Sequence, residues 1–181
     1  MSSEVITDNN ELEKVFKMDN NKEKANTHLE KMGFKDNELF EQEHDNMLCD
    51  LMNDDIMLKI LYMSQPQLPK LDYEYIKSLF KVECIKPEYP VKSHNEYIIG
   101  YIDILTEFSF DHKKFENRRI RLVIEIKTKI ESIGALIRQI NTYKEYLKAV
   151  SYTVIAPNTT EKQKDILLKS GIVLLDIKNV V

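Results

Sequence analysis

The spacing of the apolar residues changes near Phe80, and this change most constrains what the chain can fold into. Before Phe80, apolar residues recur at helical spacing and predict helical segments over residues 37–52 and 54–63, as one helix or two. Pro66 and Pro69 end this stretch, and Asp72 is an N-cap candidate for a short helix that reaches Phe80. After Phe80, apolar residues alternate or run together over short segments, which is typical of strands.

The part of the chain after Phe80 alternates between strands and helices. Pro90 favours an edge or bulged first strand, residues 111–117 are a polar loop, and Ser132 and Gly171 mark a helix start and a helix end. This order predicts an α/β fold with a mixed β-sheet flanked by helices and an N-terminal helical region. The expected strands span 82–91, 97–105, 119–127, 152–155 and 172–177, and the expected helices span 133–149 and 160–169.

Composition divides the chain and excludes several classes of protein. Residues 1–35 form a polar, partly flexible segment with a short amphipathic piece over 11–18, residues 36–80 a helical region that packs on the core, and residues 81–181 the core. No apolar run approaches the roughly 20 residues that cross a bilayer, and the polar start lacks a signal sequence. Two cysteines and four glycines argue against a disulfide framework, a four-ligand zinc site and a glycine-rich nucleotide fingerprint. We expect a cytoplasmic protein.

Charge is unevenly distributed along the chain. Residues 1–60 hold 7 Lys and Arg against 15 Asp and Glu, whereas residues 61–181 hold 19 against 15, within a net charge of −4. Such asymmetry suggests a partner surface, although solvated charges need no partner. The basic half suits a phosphate backbone, and the acidic half makes backbone binding there unfavourable. The acidic helices are candidates for homodimer contacts or for docking a protein partner.

Three ionisable residues interrupt strands that otherwise look buried. Asp103 lies late in one apolar strand, and Glu125 and Lys127 lie two apart in the next, so their side chains share a face. Two carboxylates that converge in a dry site repel each other unless a cation lies between them, and Mg²⁺ or Mn²⁺ takes oxygen ligands. An ammonium beside the metal would activate water and stabilise charge on a phosphate. The alternative is an exposed Glu–Lys pair worth under roughly 1 kcal/mol.

The helix that follows the third strand carries further polar groups. Gln139 and Tyr143 stand four apart and share a face, with Arg138 beside it and Lys144 continuing the basic character. An amide and a hydroxyl there would hydrogen-bond phosphate or water, and the two cations are candidates for nucleic-acid contacts. The alternative is an ordinary amphipathic helix with a half-buried tyrosine.

Together these residues resemble the PD-(D/E)xK nuclease superfamily, in members with a QxxxY helix. The matching elements are Asp103 in its strand, the Glu125–Ile126–Lys127 tripeptide and the Gln139–Tyr143 pair, over about residues 80–178. The resemblance implies a restriction-endonuclease-like core and Mg²⁺-dependent cleavage of nucleic acid, usually DNA. It assigns the metal to Asp103, Glu125 and the Ile126 carbonyl, the attacking water to Lys127, and support of the site to the QxxxY pair. Ile102 replaces the usual proline before the aspartate.

Two questions stay open at the level of sequence. Many members of the superfamily use a further acid on an early helix, for which Glu43, Asp45 and Glu88 are candidates, while His44 is taken as a surface residue. The rival function is a catalytically silent subunit that keeps the nuclease fold and binds nucleic acid or protein in a repair, replication or defence assembly.

Overall fold

The computed structural model describes residues 37–112 and 115–181. The predicted polar segment over 1–35 and its amphipathic piece over 11–18 lie outside the described residues. One compact unit runs from Glu43 to Val181. Within the described residues, no helix is long and apolar enough to cross a membrane.

Within residues 37–112 and 115–181, five α-helices form close to where the apolar spacing and the capping residues predict them, although the helix predicted over 133–149 ends at Tyr146. Asn53 separates the first two because its side chain caps the second helix, so the helical stretch before Pro66 is two helices. The predicted caps Asp72 and Ser132 each accept a hydrogen bond from a backbone N–H in the first turn of their helix. The helices are α1 (Asn37–Leu51), α2 (Asp54–Ser64), α3 (Tyr73–Leu79), α4 (Ile133–Tyr146) and α5 (Glu161–Lys169), with 3₁₀ turns at Leu68–Lys70 and Ile177–Asn179.

Five strands form one mixed sheet, which confirms the α/β class with helices flanking the sheet. Their order follows the sequence, with antiparallel pairing between the first three strands and parallel pairing between the last three. The first strand lies at an edge, as Pro90 predicts. The strands are β1 (Phe80–Lys92), β2 (Ile98–His112), β3 (Phe115–Ile126), β4 (Ser151–Ala156) and β5 (Val173–Asp176).

The predicted polar loop over 111–117 is wrong at both ends. Strand β2 continues to His112 and β3 begins at Phe115, with these two residues paired in register. Antiparallel backbone hydrogen bonds extend a hairpin irrespective of side-chain polarity, so the polar composition there did not end the strands.

The sheet is covered on both faces. Leu51, Met57 and Phe108 belong to an apolar cluster on the side of α1 and α2, whereas Ile140 and Leu167 belong to a second cluster on the side of α4 and α5. Strand β3 contributes to both clusters, as its nearly continuous apolar run predicts. Polar side chains in this strand therefore require partners. For Glu125, near the end of β3, these partners are Lys127 and a residue of α4, Gln139.

Candidate active site

The site begins where β2 and β3 stop pairing. The last register pair at this end of the two strands is Ile104↔Ile124. Beyond it, the Asp103 carboxylate accepts a hydrogen bond from the backbone N–H of Ile126, with Oδ2 at 2.6 Å from the nitrogen. The aspartate therefore binds the end of the neighbouring strand and lies close to Glu125, the intervening residue of β3.

Glu125 is almost completely buried, at 3% exposure. Its Oε1 accepts two hydrogen bonds, from Lys127 Nζ at 2.6 Å and from Gln139 Nε2 at 2.7 Å. Its Oε2 is also buried and has no hydrogen-bond partner among the described residues. Burial, and secondly the negative charge of Asp103, raise the pKa of Glu125 above its usual range, although Lys127 opposes this shift.

Helix α4 holds the buried carboxylate from the side. Gln139 Nε2 lies 3.1 Å from the Tyr143 hydroxyl, which itself donates to the carbonyl oxygen of Tyr101 at 3.0 Å. A continuous chain of hydrogen bonds thus runs from β2 through the helix to Glu125. Burial raises the pKa of Tyr143, so its hydroxyl keeps its proton and acts as a donor at neutral pH.

Gly100 makes the position of Tyr143 possible. A Cβ atom at this residue would lie 2.8 Å from the Tyr143 hydroxyl and 2.9 Å from its Cε1. These distances are shorter than van der Waals contact, so any other residue would push the ring off β2. Gly100 was not among the residues that the sequence predicted for the site. Its place three residues before Asp103, in a strand otherwise rich in isoleucine and tyrosine, was the available signal.

His44 also reaches the site, which the sequence analysis did not anticipate. Its Nε2 lies 3.3 Å from Asp103 Oδ1, and its Nδ1 lies 3.5 Å from Asp45 Oδ1. The side chain is 30% exposed, so His44 is a half-buried residue next to Asp103 and not a fully exposed surface histidine. Sequence alone does not show which face of α1 meets the sheet near Asp103.

The three candidate additional acids are placed differently. Asp45 touches the cluster only through His44. Glu43 is exposed and has no hydrogen bond or ion pair to a described residue. Glu88 is exposed, lies opposite Asp103 in the β1–β2 register and has a left-handed φ of 46°. Of the three, Asp45 is linked to Asp103 through His44, and Glu88 is the one that the strand register places across from Asp103.

The two predicted nucleic-acid contacts also differ. Arg138 is exposed on α4, next to Gln139. Lys144 instead donates to the carbonyl oxygens of Ser170 and Gly171, at 2.8 and 3.1 Å, and burial lowers its pKa. Its ammonium stabilises the turn after α5, and its contact with nucleic acid stays a prediction.

The chemistry of the donor set fits a hydrated divalent ion. Within the described residues, no three His, Cys, Asp or Glu side chains form a group that could hold a metal ion. Magnesium is commonly held by only one or two carboxylates and keeps several waters. Asp103 and Glu125 supply that number, and Glu125 Oε2 is a buried oxygen that lacks a partner among the described residues.

Comparison of the chain with protein-family models, with curated proteins and with solved structures finds no match.

Proposed function

We propose that the protein is a Mg²⁺-dependent nuclease with a restriction-endonuclease-like fold of the PD-(D/E)xK type. The observation that carries the proposal is the buried Glu125 carboxylate, which is held on one oxygen by Lys127 and Gln139 and has no partner on the other in the described part of the chain. A buried charge near a second carboxylate is costly unless a ligand uses it. Structural ion pairs do not require a partnerless oxygen.

Each residue of the cluster has a role in this proposal. Asp103, Glu125 and the Ile126 carbonyl would hold Mg²⁺ or Mn²⁺, which when bound supplies a Lewis acid to the scissile phosphate. The ammonium of Lys127, 31% exposed, orients the attacking water and stabilises the charge that develops on phosphate oxygens.

The supporting residues keep these groups in place. Gln139 fixes the orientation of Glu125, and Tyr143 fixes Gln139. His44 holds the second oxygen of Asp103 from α1. Ordered support of this kind is needed because small displacements of reacting groups reduce rates strongly.

The proposed substrate is nucleic acid, most simply DNA. Lys129 and Arg138 are exposed close in sequence to Lys127 and Gln139, so cations flank the cluster for contact with a phosphate backbone. The acidic residues before position 60 are proposed as a homodimer or protein-partner surface.

The test is cleavage of single- and double-stranded DNA and RNA by the full chain in Mg²⁺ or Mn²⁺. Wild-type protein should cleave at least one of these substrates, and Lys127→Ala protein should not. Lys162→Ala, which removes the same charge from an exposed position on α5, is the matched control and should cleave as wild type does. Wild-type cleavage no greater than that of Lys127→Ala on every substrate would refute the proposal.

A second candidate, a catalytically silent nucleic-acid-binding subunit, has one observation in its favour. The charged groups of the cluster already have partners within the protein. Asp103 accepts a hydrogen bond from the backbone N–H of Ile126, and Lys127 donates to Glu125. Retarded migration of DNA in a gel shift, without cleavage in either metal, would favour this candidate.

A further inference from the structure

A cavity of about 450 Å³ lies on the sheet beside the end of α4. Its wall is built from the second half of β1, from one residue of β3 and from the last turn of the helix. It shares no side chain with the proposed active site, although Val91 in its wall pairs with Gly100, on which Tyr143 lies. The lining residues are Tyr89, Pro90, Val91, Lys92, Arg121, Tyr146 and Leu147.

The charged residues that line the cavity are cationic, which favours an anionic ligand. Lys92 and Arg121 line it, and no acidic residue does among those the structure describes. Their acidic partners lie outside the lining, with Glu96 at 3.0 Å from Lys92 Nζ and Glu107 at 3.0 Å from Arg121 Nε. The two amino groups of the Arg121 guanidinium make no hydrogen bond to any described residue, so they are available in the fork geometry that binds phosphate.

The remaining lining suits a flat ring. The lining includes two aromatic residues, Tyr89 and Tyr146, and three apolar ones, Pro90, Val91 and Leu147. The ammonium of Lys86 lies 5.8 Å from the centre of the Tyr89 ring, which adds a third cation next to the cavity. Stacking of a nucleobase on aromatic side chains is favourable and tolerates any base.

We propose that this cavity binds a nucleotide, with the base against Tyr89 or Tyr146 and the phosphate on Lys92 and Arg121. Its volume lies within the range of small-molecule sites, about 300–1,000 Å³. The nucleotide comes either from free solution or from a nucleic-acid strand, and the chemistry of recognition is shared. This inference goes beyond the proposed function and does not depend on it, because binding here needs neither a metal nor Glu125.

The test is calorimetric titration of the full chain in EDTA, where cleavage is suppressed. The probes are AMP, adenosine, inorganic phosphate and 5′-phosphorylated dT₈. AMP should bind at least tenfold more tightly than adenosine and than phosphate, because only AMP joins the ring to the anion. If the cavity serves a strand, the oligonucleotide should bind more tightly than AMP; if it serves a free nucleotide, AMP should bind at least as tightly.

Variants show whether the cavity is the site. Lys92→Gln/Arg121→Gln should weaken binding of the preferred probe at least tenfold, and Tyr146→Leu should weaken it severalfold. Lys92→Gln alone leaves the Arg121–Glu107 pair intact, so its loss of affinity is not a folding effect. The control Lys164→Gln/Lys178→Gln removes two cations elsewhere and should bind as wild type does.

Two results would overturn the inference. One is the absence of binding of AMP and of dT₈ to wild-type protein at millimolar concentration. The other is binding that the cavity variants and the control variant retain equally. Neither result bears on Glu125, so cleavage activity and nucleotide binding can each fail without the other.

Discussion

Glu107 and Glu125 are two buried glutamates on neighbouring strands, and their surroundings are opposite. Glu107 is 8% exposed and is paired on both oxygens, by Arg121 at 3.0 Å and by Lys86 and the Cys84 thiol at 3.6 Å. Glu125 is 3% exposed and, among the described residues, has partners on one oxygen only. Burial acts to raise the pKa of both, but the Arg121 hydrogen bond and Lys86 hold the pKa of Glu107 below its usual value, whereas burial and Asp103 raise that of Glu125.

This difference separates a structural carboxylate from a functional one. An ion pair that stabilises a fold satisfies both oxygens, because an unpaired buried oxygen costs free energy. A site that binds a cation leaves one oxygen unpaired, and this lowers the free energy of unfolding of the protein until the cation binds. The two glutamates therefore serve as controls for each other within one protein.

The largest expected effect distinguishes the two glutamates by activity. Glu125→Gln should lower the cleavage rate by about 100- to 1000-fold, as does loss of other groups that stabilise charge in a transition state. Glu107→Gln should stay within a few-fold of wild type because Glu107 touches none of the proposed catalytic groups. Steady-state cleavage of a labelled substrate measures both. Equal loss in the two variants would remove the functional distinction.

Gly100→Ala should reduce cleavage by about 100-fold, because the added methyl group displaces Tyr143 and through it Gln139 and Glu125. Gly134→Ala is the matched control, since its Cβ would meet only Arg138 Nη1 at an ordinary 3.6 Å. That control should be as active as wild type and slightly more stable, as expected for alanine in a helix. Full activity of Gly100→Ala would show that the position of Tyr143 does not matter.

Stability should change in opposite directions for the two glutamates at neutral pH. The raised pKa of Glu125 means that wild-type stability falls as the pH rises from 4.5 through that pKa, so Glu125→Gln should be more stable than wild type at pH 7. Glu107 has a lowered pKa, so its contribution is present above 4.5 and is lost as the pH falls. Glu107→Gln should therefore lose about 1–3 kcal/mol at pH 7.

Urea unfolding at pH 4 and pH 7 checks both signs. The stability differences between each variant and wild type should shrink at the lower pH, where the carboxyl groups approach protonation. A Glu125→Gln protein that is less stable than wild type at pH 7 would mean that the buried carboxylate is a net stabilising pair.

The smallest expected effect belongs to the Tyr143 hydroxyl. Tyr143→Phe keeps the ring on Gly100 but removes the hydrogen bonds to Gln139 and Tyr101, each worth about 1 kcal/mol. Cleavage should fall by about tenfold or less, well below the loss in Gly100→Ala. An equal loss in the two variants would mean that cleavage depends on the hydroxyl of Tyr143 and not on the position of its ring.

The order of the elements and the closeness of Asp103, Glu125 and Lys127 could be predicted because both follow from local sequence patterns. Period-two and helical spacing are local, and Glu125 and Lys127 share a face because of strand geometry alone. Local patterns did not predict the strands at 111–117, because backbone pairing between β2 and β3 extends both strands there. The sequence indicated a surface position for His44 and no role for Gly100, because their contacts are with Asp103 and Tyr143 far along the chain. The hydrogen bond from Lys144 to the turn after α5 could not be predicted either, because that turn lies 26 residues further along the chain.

The most direct test of the central claim is anomalous diffraction from crystals of the protein soaked in Mn²⁺. The proposal predicts a peak bound by Glu125 Oε2 and Asp103, with no such peak in crystals of Glu125→Gln. Glu125 Oε2 without an ion in fully soaked crystals, or an identical peak in the Glu125→Gln variant, would contradict it.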